Sequence, residues 1–177
     1  MRTSGEWLRW VVVGAWAAVA SCAQRGTPQA GLAPGSRAPA FQTVGPDDSP
    51  VSLADFSGDV VVLDFWATWC GPCLQAMPEM QRLSKRFAGK GVVVLGVDTD
   101  RAGDLKRVAA TIRDKGITFR QALDPEATIA RSYKIDALPT VIVVDKAGVV
   151  SAVHVGFERG EADLLGDEID RLLKKAP

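Results

Sequence analysis

The sequence predicts one α/β domain built around a mixed sheet, and three observations support this class. Short apolar runs typical of buried strands alternate with longer segments whose apolar residues recur at helical spacing. The alternation ends in two strand-like segments joined across Asp145-Lys146-Ala147-Gly148, which predicts an antiparallel hairpin in the same sheet. The length of 177 residues suits a single domain with a substantial core.

The elements are predicted in order from residue 39. A hairpin is expected from Phe41–Val44 and Val51–Leu53, because Gly45-Pro46-Asp47-Asp48 between them is rich in turn-forming residues. Val60–Phe65 and Val92–Val97 are apolar on both faces, as expected of central strands covered on both sides. The other predicted strands are 118–123, 141–144 and 149–155, and the predicted helices are 73–87 (kinked at Pro78), 104–115, 125–133 (begun by Pro125) and 161–175.

Charge and cysteine content exclude several classes of function. The chain carries 21 basic and 21 acidic residues, and this balance gives no basic surface for nucleic acid. A structural zinc site needs about four nitrogen or sulfur ligands. The chain has only three cysteines and one histidine, so we predict neither a metal site nor a nucleic-acid partner.

The first 38 residues indicate export and attachment to a membrane. Trp10–Ala20 is an uncharged apolar run, too short to span a bilayer but typical of a secretory signal peptide. It leads into Val19-Ala20-Ser21-Cys22, which resembles the cleavage box of bacterial lipoproteins. This resemblance implies a lipid on Cys22 and a location in the bacterial cell envelope, with the domain facing the periplasm or another extracytoplasmic space. The implied organisation is a signal peptide at 1–21, a lipid-anchored flexible tether at 22–38 and a folded domain at 39–177; an ordinary signal peptide and an uncleaved anchor are the alternatives.

The motif Trp69-Cys70-Gly71-Pro72-Cys73 carries the chemistry. It directly follows a predicted buried strand, so its first sulfur should lie at the N-terminus of the next helix. Unpaired backbone N–H groups and the helix dipole stabilise a thiolate there. A thiolate beside a second thiol is what disulfide exchange requires, because one sulfur attacks and the other resolves the mixed disulfide. A purely structural disulfide is the alternative.

Residues 60–73 resemble the active-site segment of thioredoxin-fold proteins. Residues 51–58 and the additional segment 101–115 are similar to the TlpA/ResA branch, and Ala137-Leu138-Pro139-Thr140 resembles the cis-proline loop of the fold. The resemblance implies a thioredoxin fold over residues 39–177, with a central mixed β-sheet flanked by helices, an N-terminal β-hairpin and a helical insertion. It also implies a thiol–disulfide oxidoreductase that needs no cofactor.

The same resemblance implies roles for individual residues. Cys70 is the exposed nucleophile with a lowered pKa, and Cys73 is the buried resolving thiol. Pro139 is expected to be cis, which would leave the backbone of Leu138 free to pair with a substrate strand. The residues that shape the site or position the substrate are Trp69, Gly71, Pro72, Leu138 and Pro139, although Trp69 is also explained as an ordinary core residue.

Asp64 is the polar residue of most interest, because it interrupts an apolar strand. Burial without a partner raises the pKa of a carboxyl group. The matching thioredoxin position holds an acid that takes the proton of the resolving thiol, which implies that Asp64 is a relay base for Cys73. An Asp at a strand irregularity with access to water is the alternative. Asp98 and Asp100 are expected to be solvated loop acids, and Lys106-Arg107 is expected to be a solvated helix face.

The leading hypothesis is a membrane-tethered enzyme that reduces disulfides of exported proteins. Apocytochrome c, with its haem-binding cysteines, is one candidate substrate. A membrane thiol electron donor of the DsbD/CcdA type would reset the cysteine pair, and the enzyme is expected to act as a monomer. The alternatives are a disulfide oxidant or isomerase, a thiol peroxidase, and a non-enzymatic binding lipoprotein.

Overall fold

A five-stranded mixed sheet forms the centre of the computed structural model, which describes residues 32–158 and 160–175. The elements in chain order are β1 (Gln42–Val44), β2 (Pro50–Ser52), β3 (Val60–Trp66), α1 (Gly71–Arg86), β4 (Val92–Asp98), α2 (Leu105–Asp114), β5 (Arg120–Leu123), α3 (Thr128–Ser132), β6 (Thr140–Val144), β7 (Val150–Val155) and α4 (Glu161–Lys174).

The strand order in the sheet is β5-β4-β3-β6-β7. Strands β3, β4 and β5 run parallel, whereas β6 is antiparallel to β3 and β7 is antiparallel to β6. β3 is central and all seven of its residues are buried, which explains its nearly continuous apolar sequence. The separate hairpin β1–β2 precedes the sheet. The predicted mixed sheet, closing hairpin and N-terminal hairpin are confirmed.

Two apolar layers cover the sheet, because successive side chains of a strand point to opposite faces. The even-numbered apolar residues of β3 pack in one cluster with buried residues of α1 and α4. The odd-numbered residues pack in the other cluster, which includes buried residues of α3 and the Tyr133 ring. The Tyr133 hydroxyl donates a hydrogen bond to the Pro39 carbonyl oxygen at 2.7 Å, which fixes the segment before β1 to this second layer.

The first helix begins two residues before its predicted start. Cys70 caps the helix and Pro72 lies in its first turn, where the missing N–H of proline costs no hydrogen bond. Pro78 lies inside α1, as predicted.

The predicted helix 125–133 is wrong at its start, because α3 begins only at Thr128. Ala127 has a left-handed backbone with φ of 53°, which interrupts a right-handed helix at that point. The buried carboxylate of Asp124 accepts two N–H groups of the first turn, at 3.0 and 2.7 Å. The start of α3 is therefore stabilised by an acidic side chain and not by a proline.

Part of the predicted tether belongs to the folded domain. Leu32 and Ala38 are buried. The Gly35 N–H donates to the Val150 carbonyl oxygen at 2.8 Å, and the Val150 N–H donates to the Ser36 carbonyl oxygen at 2.8 Å. These bonds add backbone to the edge of β7, so the predicted domain boundary between residues 38 and 39 was placed too late.

The other N-terminal predictions lie outside the described residues. They are the signal peptide at 1–21, the lipid on Cys22 and the tether as far as residue 31. In the part of the chain that the structure describes, no helix is both long and apolar enough to cross a membrane.

Candidate active site

Strand β3 delivers the cysteine motif to the start of α1. Cys70 is the N-cap residue, with an extended backbone of φ −87° and ψ 98°. Its N–H donates to the Ala67 carbonyl oxygen at 3.1 Å, and the Cys73 N–H donates to Cys70 Sγ at 3.2 Å. Because this N–H is one of the groups that a helix leaves unpaired at its start, it can stabilise negative charge on Cys70 Sγ once the pair is reduced.

Cys70 and Cys73 form a disulfide whose Cα atoms lie 5.3 Å apart. Their exposed fractions are 5% and 2%, so the prediction of an exposed Cys70 is wrong for the oxidised form. The flanking residues are the accessible ones: Trp69 is 67% exposed, and Gly71 and Pro72 are also exposed. Trp69 is therefore a surface residue beside the disulfide and not a core residue.

The loop before β6 adjoins the motif. The Leu138–Pro139 peptide bond is cis, as the resemblance implied, and the Pro139 carbonyl oxygen accepts the Gly156 N–H at 2.8 Å. An open groove runs from Pro72 past this loop to the end of β7 and the start of α4. Val155 and Leu164 line it with side chains that are 50% and 66% exposed. Pro72, between the two cysteines, thus borders an accessible groove that presents apolar side chains together with Glu158 and Glu161.

Asp64 is buried in the middle of β3, with 3% of its surface exposed. Strand alternation places it on the same face as Val62 and Trp66, the face on which Cys73 packs. Burial raises the pKa of Asp64 to about 7. This carboxyl group therefore changes its charge near neutral pH, on the side of the sheet that α1 covers.

Gln121 is a site neighbour that the sequence analysis missed. The Trp66 indole N–H donates to Gln121 Oε1 at 3.0 Å. The Gln121 side chain lies over Gly96, where a Cβ atom would overlap the amide group. Gly96 is paired in register with Asp64 on one side and with Gln121 on the other. A glycine inside an apolar strand is a sign of such a close approach, and was the available signal.

Asp98 and Asp100 are buried, with 0% and 1% of their surfaces exposed, so their prediction as solvated acids is wrong. Asp100 accepts hydrogen bonds from the Thr68 N–H at 2.6 Å and the Thr68 hydroxyl at 2.7 Å. It also pairs with the Arg107 guanidinium at 3.0 Å, so Arg107 is not simply part of a solvated face. The feature that could have indicated these contacts is the parallel pairing of β3 with β4, because it brings the residues just beyond the two strands together.

The buried acids Asp98 and Asp100 differ in charge. Burial and, to a lesser extent, the adjacent Asp100 carboxylate together raise the pKa of Asp98 to about 8. Burial alone would also raise the pKa of Asp100, but the hydrogen bonds from Thr68, together with those from Asp98 and Arg107, hold that pKa below its ordinary value. At neutral pH Asp100 is therefore an anion, while Asp98 is mostly protonated.

The chain is similar to thiol–disulfide oxidoreductases in sequence. The sequence pattern of the AhpC/TSA family matches residues 34–153, a range that begins before the predicted domain boundary. Thioredoxin-like protein YneN of Bacillus subtilis is 36% identical over 128 residues, which are 72% of this chain and 75% of the relative. Thiol-disulfide oxidoreductase ResA of Bacillus cereus is 34% identical over 141 residues, which are 80% of this chain and 77% of the relative.

Solved structures that are similar to this chain are also described as thiol–disulfide oxidoreductases or interchange proteins. A crystal structure described as a thiol:disulfide interchange protein DsbE from Chlorobium tepidum is 35% identical, with a TM-score of 0.74, and covers 80% of this chain and 99% of that one. The thioredoxin domain of a thiol-disulfide oxidoreductase from Bacteroides vulgatus is 30% identical, with a TM-score of 0.68, and covers 81% of this chain and 99% of that one. The predicted thioredoxin fold is confirmed.

The pKa of Asp64 makes a prediction about stability. Burial raises this pKa from 3.8 to about 7, so in that pH window the native protein holds a proton that the unfolded chain releases. The free energy of unfolding must then fall as pH rises from about 4 to about 7. Asp64→Asn should raise the free energy of unfolding at pH 8 by up to about 4 kcal/mol, since a pKa change of one unit corresponds to about 1.4 kcal/mol.

Urea unfolding of the oxidised protein at pH 4 and pH 8 measures this effect. The increase in the free energy of unfolding caused by Asp64→Asn should shrink or vanish at pH 4. The pH-dependent contribution of Asp98 does not affect this difference, because both proteins contain Asp98. Asp167→Asn removes an exposed carboxyl group of α4 and is the matched control, whose difference from wild type should be the same at both pH values. An equal gain for Asp64→Asn at both pH values would contradict the assignment.

Proposed function

Since the chain belongs to the AhpC/TSA family and is a thiol–disulfide oxidoreductase, we propose that it reduces disulfide bonds of exported proteins on the outer side of a bacterial membrane. The observation that carries the proposal is the Cys70–Cys73 disulfide at the N-terminus of α1. The Gly71-Pro72 dipeptide between the cysteines supports the reducing direction, because reducing thioredoxins share it. Such pairs have potentials near about −270 mV, against about −120 mV for strong oxidants.

The reaction proceeds in two exchanges that balance in sulfur, protons and electrons. The Cys70 thiolate attacks one sulfur of a substrate disulfide, forms a mixed disulfide and releases the other substrate sulfur as a thiolate. The Cys73 thiolate then attacks Cys70 Sγ, closes the Cys70–Cys73 disulfide and releases the second substrate thiolate. Two electrons pass to the substrate, whose thiolates take up protons. A membrane dithiol of the DsbD/CcdA type returns the two electrons by the reverse exchange.

Asp64 acts as the base for the second exchange. Cys73 is a buried thiol and must lose its proton before it can attack. Asp64 supports this role because it lies on the same face of the sheet as Cys73 and has its pKa raised by burial to about 7. A base with a pKa near the working pH combines a useful ionised fraction with sufficient proton affinity.

Substrates are bound as extended segments beside the cis-proline loop. The groove next to Pro72 and Leu138 supports this mode, since it is open and exposes the apolar side chains of Val155 and Leu164. The backbone of Leu138 pairs with the substrate strand, and exposed Trp69 covers the mixed disulfide from the other side. Apocytochrome c is one substrate that this recognition by backbone would accept, and the enzyme binds such proteins as a monomer.

A thiol peroxidase is the alternative that family membership brings forward. Peroxidases of this fold place a threonine three residues before the reacting cysteine, whereas Thr68 is two residues before Cys70. The Thr68 hydroxyl is also occupied, since it donates to Asp100 at 2.7 Å and accepts from Arg107 at 2.6 Å. Disulfide exchange is therefore the better-supported activity.

Trapping the mixed disulfide tests the proposed function. In Cys73→Ser the first exchange proceeds but the second cannot, so exported proteins should accumulate disulfide-linked to Cys70. Non-reducing electrophoresis followed by mass spectrometry of the linked proteins measures this outcome in the source bacterium. The matched control is Cys70→Ser, which should trap nothing.

The measured potential fixes the direction. The fluorescence of Trp69 should report whether the Cys70–Cys73 pair is oxidised or reduced. Titration of this signal in glutathione or dithiothreitol redox buffers should give a reduction potential near about −270 mV. A value near about −120 mV would contradict a reductase and favour an oxidant, and rapid turnover of hydrogen peroxide would favour the peroxidase.

Asp64→Asn should slow the second exchange selectively. We expect a loss of about 100-fold near pH 7, since proton transfer by a positioned side chain contributes about that much. Acid quenching of the reaction between the reduced enzyme and a disulfide peptide should show accumulated mixed disulfide in the variant. Asp167→Asn should resemble wild type, and equally brief mixed disulfide in both variants would contradict the role.

Cys22 is proposed to carry the lipid that tethers the domain. Cys22→Ala should therefore move the protein from the membrane fraction to the soluble extracytoplasmic fraction, because the lipid supplies the attachment. Fractionation and immunoblotting measure this, and metabolic labelling with a fatty acid should lose its signal in the variant. Unchanged membrane association would contradict lipid attachment at Cys22.

A further inference from the structure

A buried polar cluster lies against the active-site loop, and disulfide exchange as described above does not use it. The cluster consists of Asp98 at the end of β4, Asp100 just beyond β4, Thr68 in the loop before Cys70, and Arg107 on α2. Burying carboxyl groups is costly unless they are paired. The burial of two carboxyl groups against the loop before Cys70 therefore indicates that their contacts have a role in the protein.

Hydrogen bonds hold the loop at three consecutive positions, and the cluster supplies those at the third. The Trp66 carbonyl oxygen accepts the Thr99 N–H at 2.9 Å and the Thr99 hydroxyl at 3.1 Å. The Ala67 carbonyl oxygen accepts the Cys70 N–H at 3.1 Å, which closes the turn. The Thr68 N–H and hydroxyl both donate to Asp100. Trp66, Ala67, Thr68 and Cys70 are therefore each held by at least one of these hydrogen bonds.

Arg107 completes the attachment from the helical insertion. Its Nε donates to the Thr68 hydroxyl oxygen at 2.6 Å, and its Nη2 lies 3.0 Å from Asp100 Oδ1. Asp104 pairs with the same guanidinium at 3.3 Å from the solvent side. A planar guanidinium that bridges a hydroxyl and a carboxylate fixes both in one plane. The insertion is thereby connected to the active-site loop through one side chain.

Asp98 lies beside Asp100 and adds to the stabilisation of its charge. The Asp98 Oδ1 atom accepts the Asp100 N–H at 3.4 Å, and a side-chain hydrogen bond from Asp98 lowers the pKa of Asp100. An uncharged Asp98 avoids a second anion beside Asp100. The negative charge of the cluster is thus concentrated on the carboxylate that faces Thr68 and Arg107.

We propose that Asp100 is a positioning residue for disulfide exchange: together with Arg107 it holds Thr68, and so fixes the loop that presents Cys70 and Trp69 to a protein disulfide. This role requires only that Cys70 takes part in disulfide exchange, and it applies equally to reduction and to oxidation of the substrate. It assigns the helical insertion a part in the active site, because α2 supplies the arginine. A sulfur must approach the disulfide in line, so a small displacement of the loop costs rate.

The test compares two reactions of the reduced full-length protein. One is exchange with a protein disulfide, such as insulin, which requires the correct approach of Cys70. The other is alkylation of Cys70 by iodoacetamide, read by mass spectrometry of the Cys70 peptide, which has little geometric demand. Asp100→Asn and Thr68→Val should slow exchange by about tenfold or more, while alkylation changes by less than about twofold.

Two control variants separate positioning from folding. Thr68→Ser keeps the hydroxyl and should retain the wild-type exchange rate, whereas Thr68→Val loses it at similar size. Asp104→Asn removes the outer partner of the same arginine and should change neither reaction. If Asp100→Asn does not fold, Arg107→Met, at a side chain that is 54% exposed, replaces it with the same expectation.

Three results would overturn the proposal. They are exchange rates within about twofold of wild type in folded Thr68→Val and Asp100→Asn (or Arg107→Met), an equal loss in exchange and alkylation, or a loss in Thr68→Ser as large as in Thr68→Val. If the protein proves to oxidise its substrates and not to reduce them, the ratio of the exchange rate to the alkylation rate is unaffected. The positioning role of Asp100 and the proposed reductase function are therefore tested separately.

Discussion

The burial of β3 on both faces is the constraint on which the rest of the molecule depends. A strand with no exposed residue has one allowed register, since a slip by one position would exchange its two apolar faces. Its end is therefore a fixed point, and the chain must turn there into α1. The positions of Cys70 as a helix cap and of Asp64 on the face that α1 covers both follow from that register.

Three buried aspartates show how the same residue type acquires different charge from its surroundings. Asp64 has its pKa raised by burial alone, and Asp98 has its pKa raised by burial and by a neighbouring carboxylate. Asp100 is just as buried, yet hydrogen bonds from Thr68 hold its pKa low. At neutral pH Asp98 is mostly protonated, Asp64 is close to half ionised and Asp100 is an anion. Acids with pKa values shifted in this way are concentrated at functional sites.

The elements and the cysteine motif could be predicted because their signals are local. The apolar run of β3, the Cys-x-x-Cys spacing and the closing hairpin each lie within a short window of sequence. Asp100 was misjudged because Thr68 is 32 residues away and meets it only through the parallel pairing of β3 with β4. The start of α3 was misplaced because the left-handed Ala127 has no sequence signal as strong as proline. The domain boundary was missed because residues 35–38 join the sheet edge by backbone bonds, which leave no apolar pattern.

That backbone pairing determines where the N-terminal segment enters the folded domain. Residues 35–38 meet Gly148 and Val150, at the end of the sheet where β3 begins, whereas Cys70 follows the opposite end. The seven residues of β3 separate these poles by roughly 20 Å. Under the proposed attachment at Cys22, the disulfide would thus lie at the pole of the sheet opposite the point where the tether enters the domain.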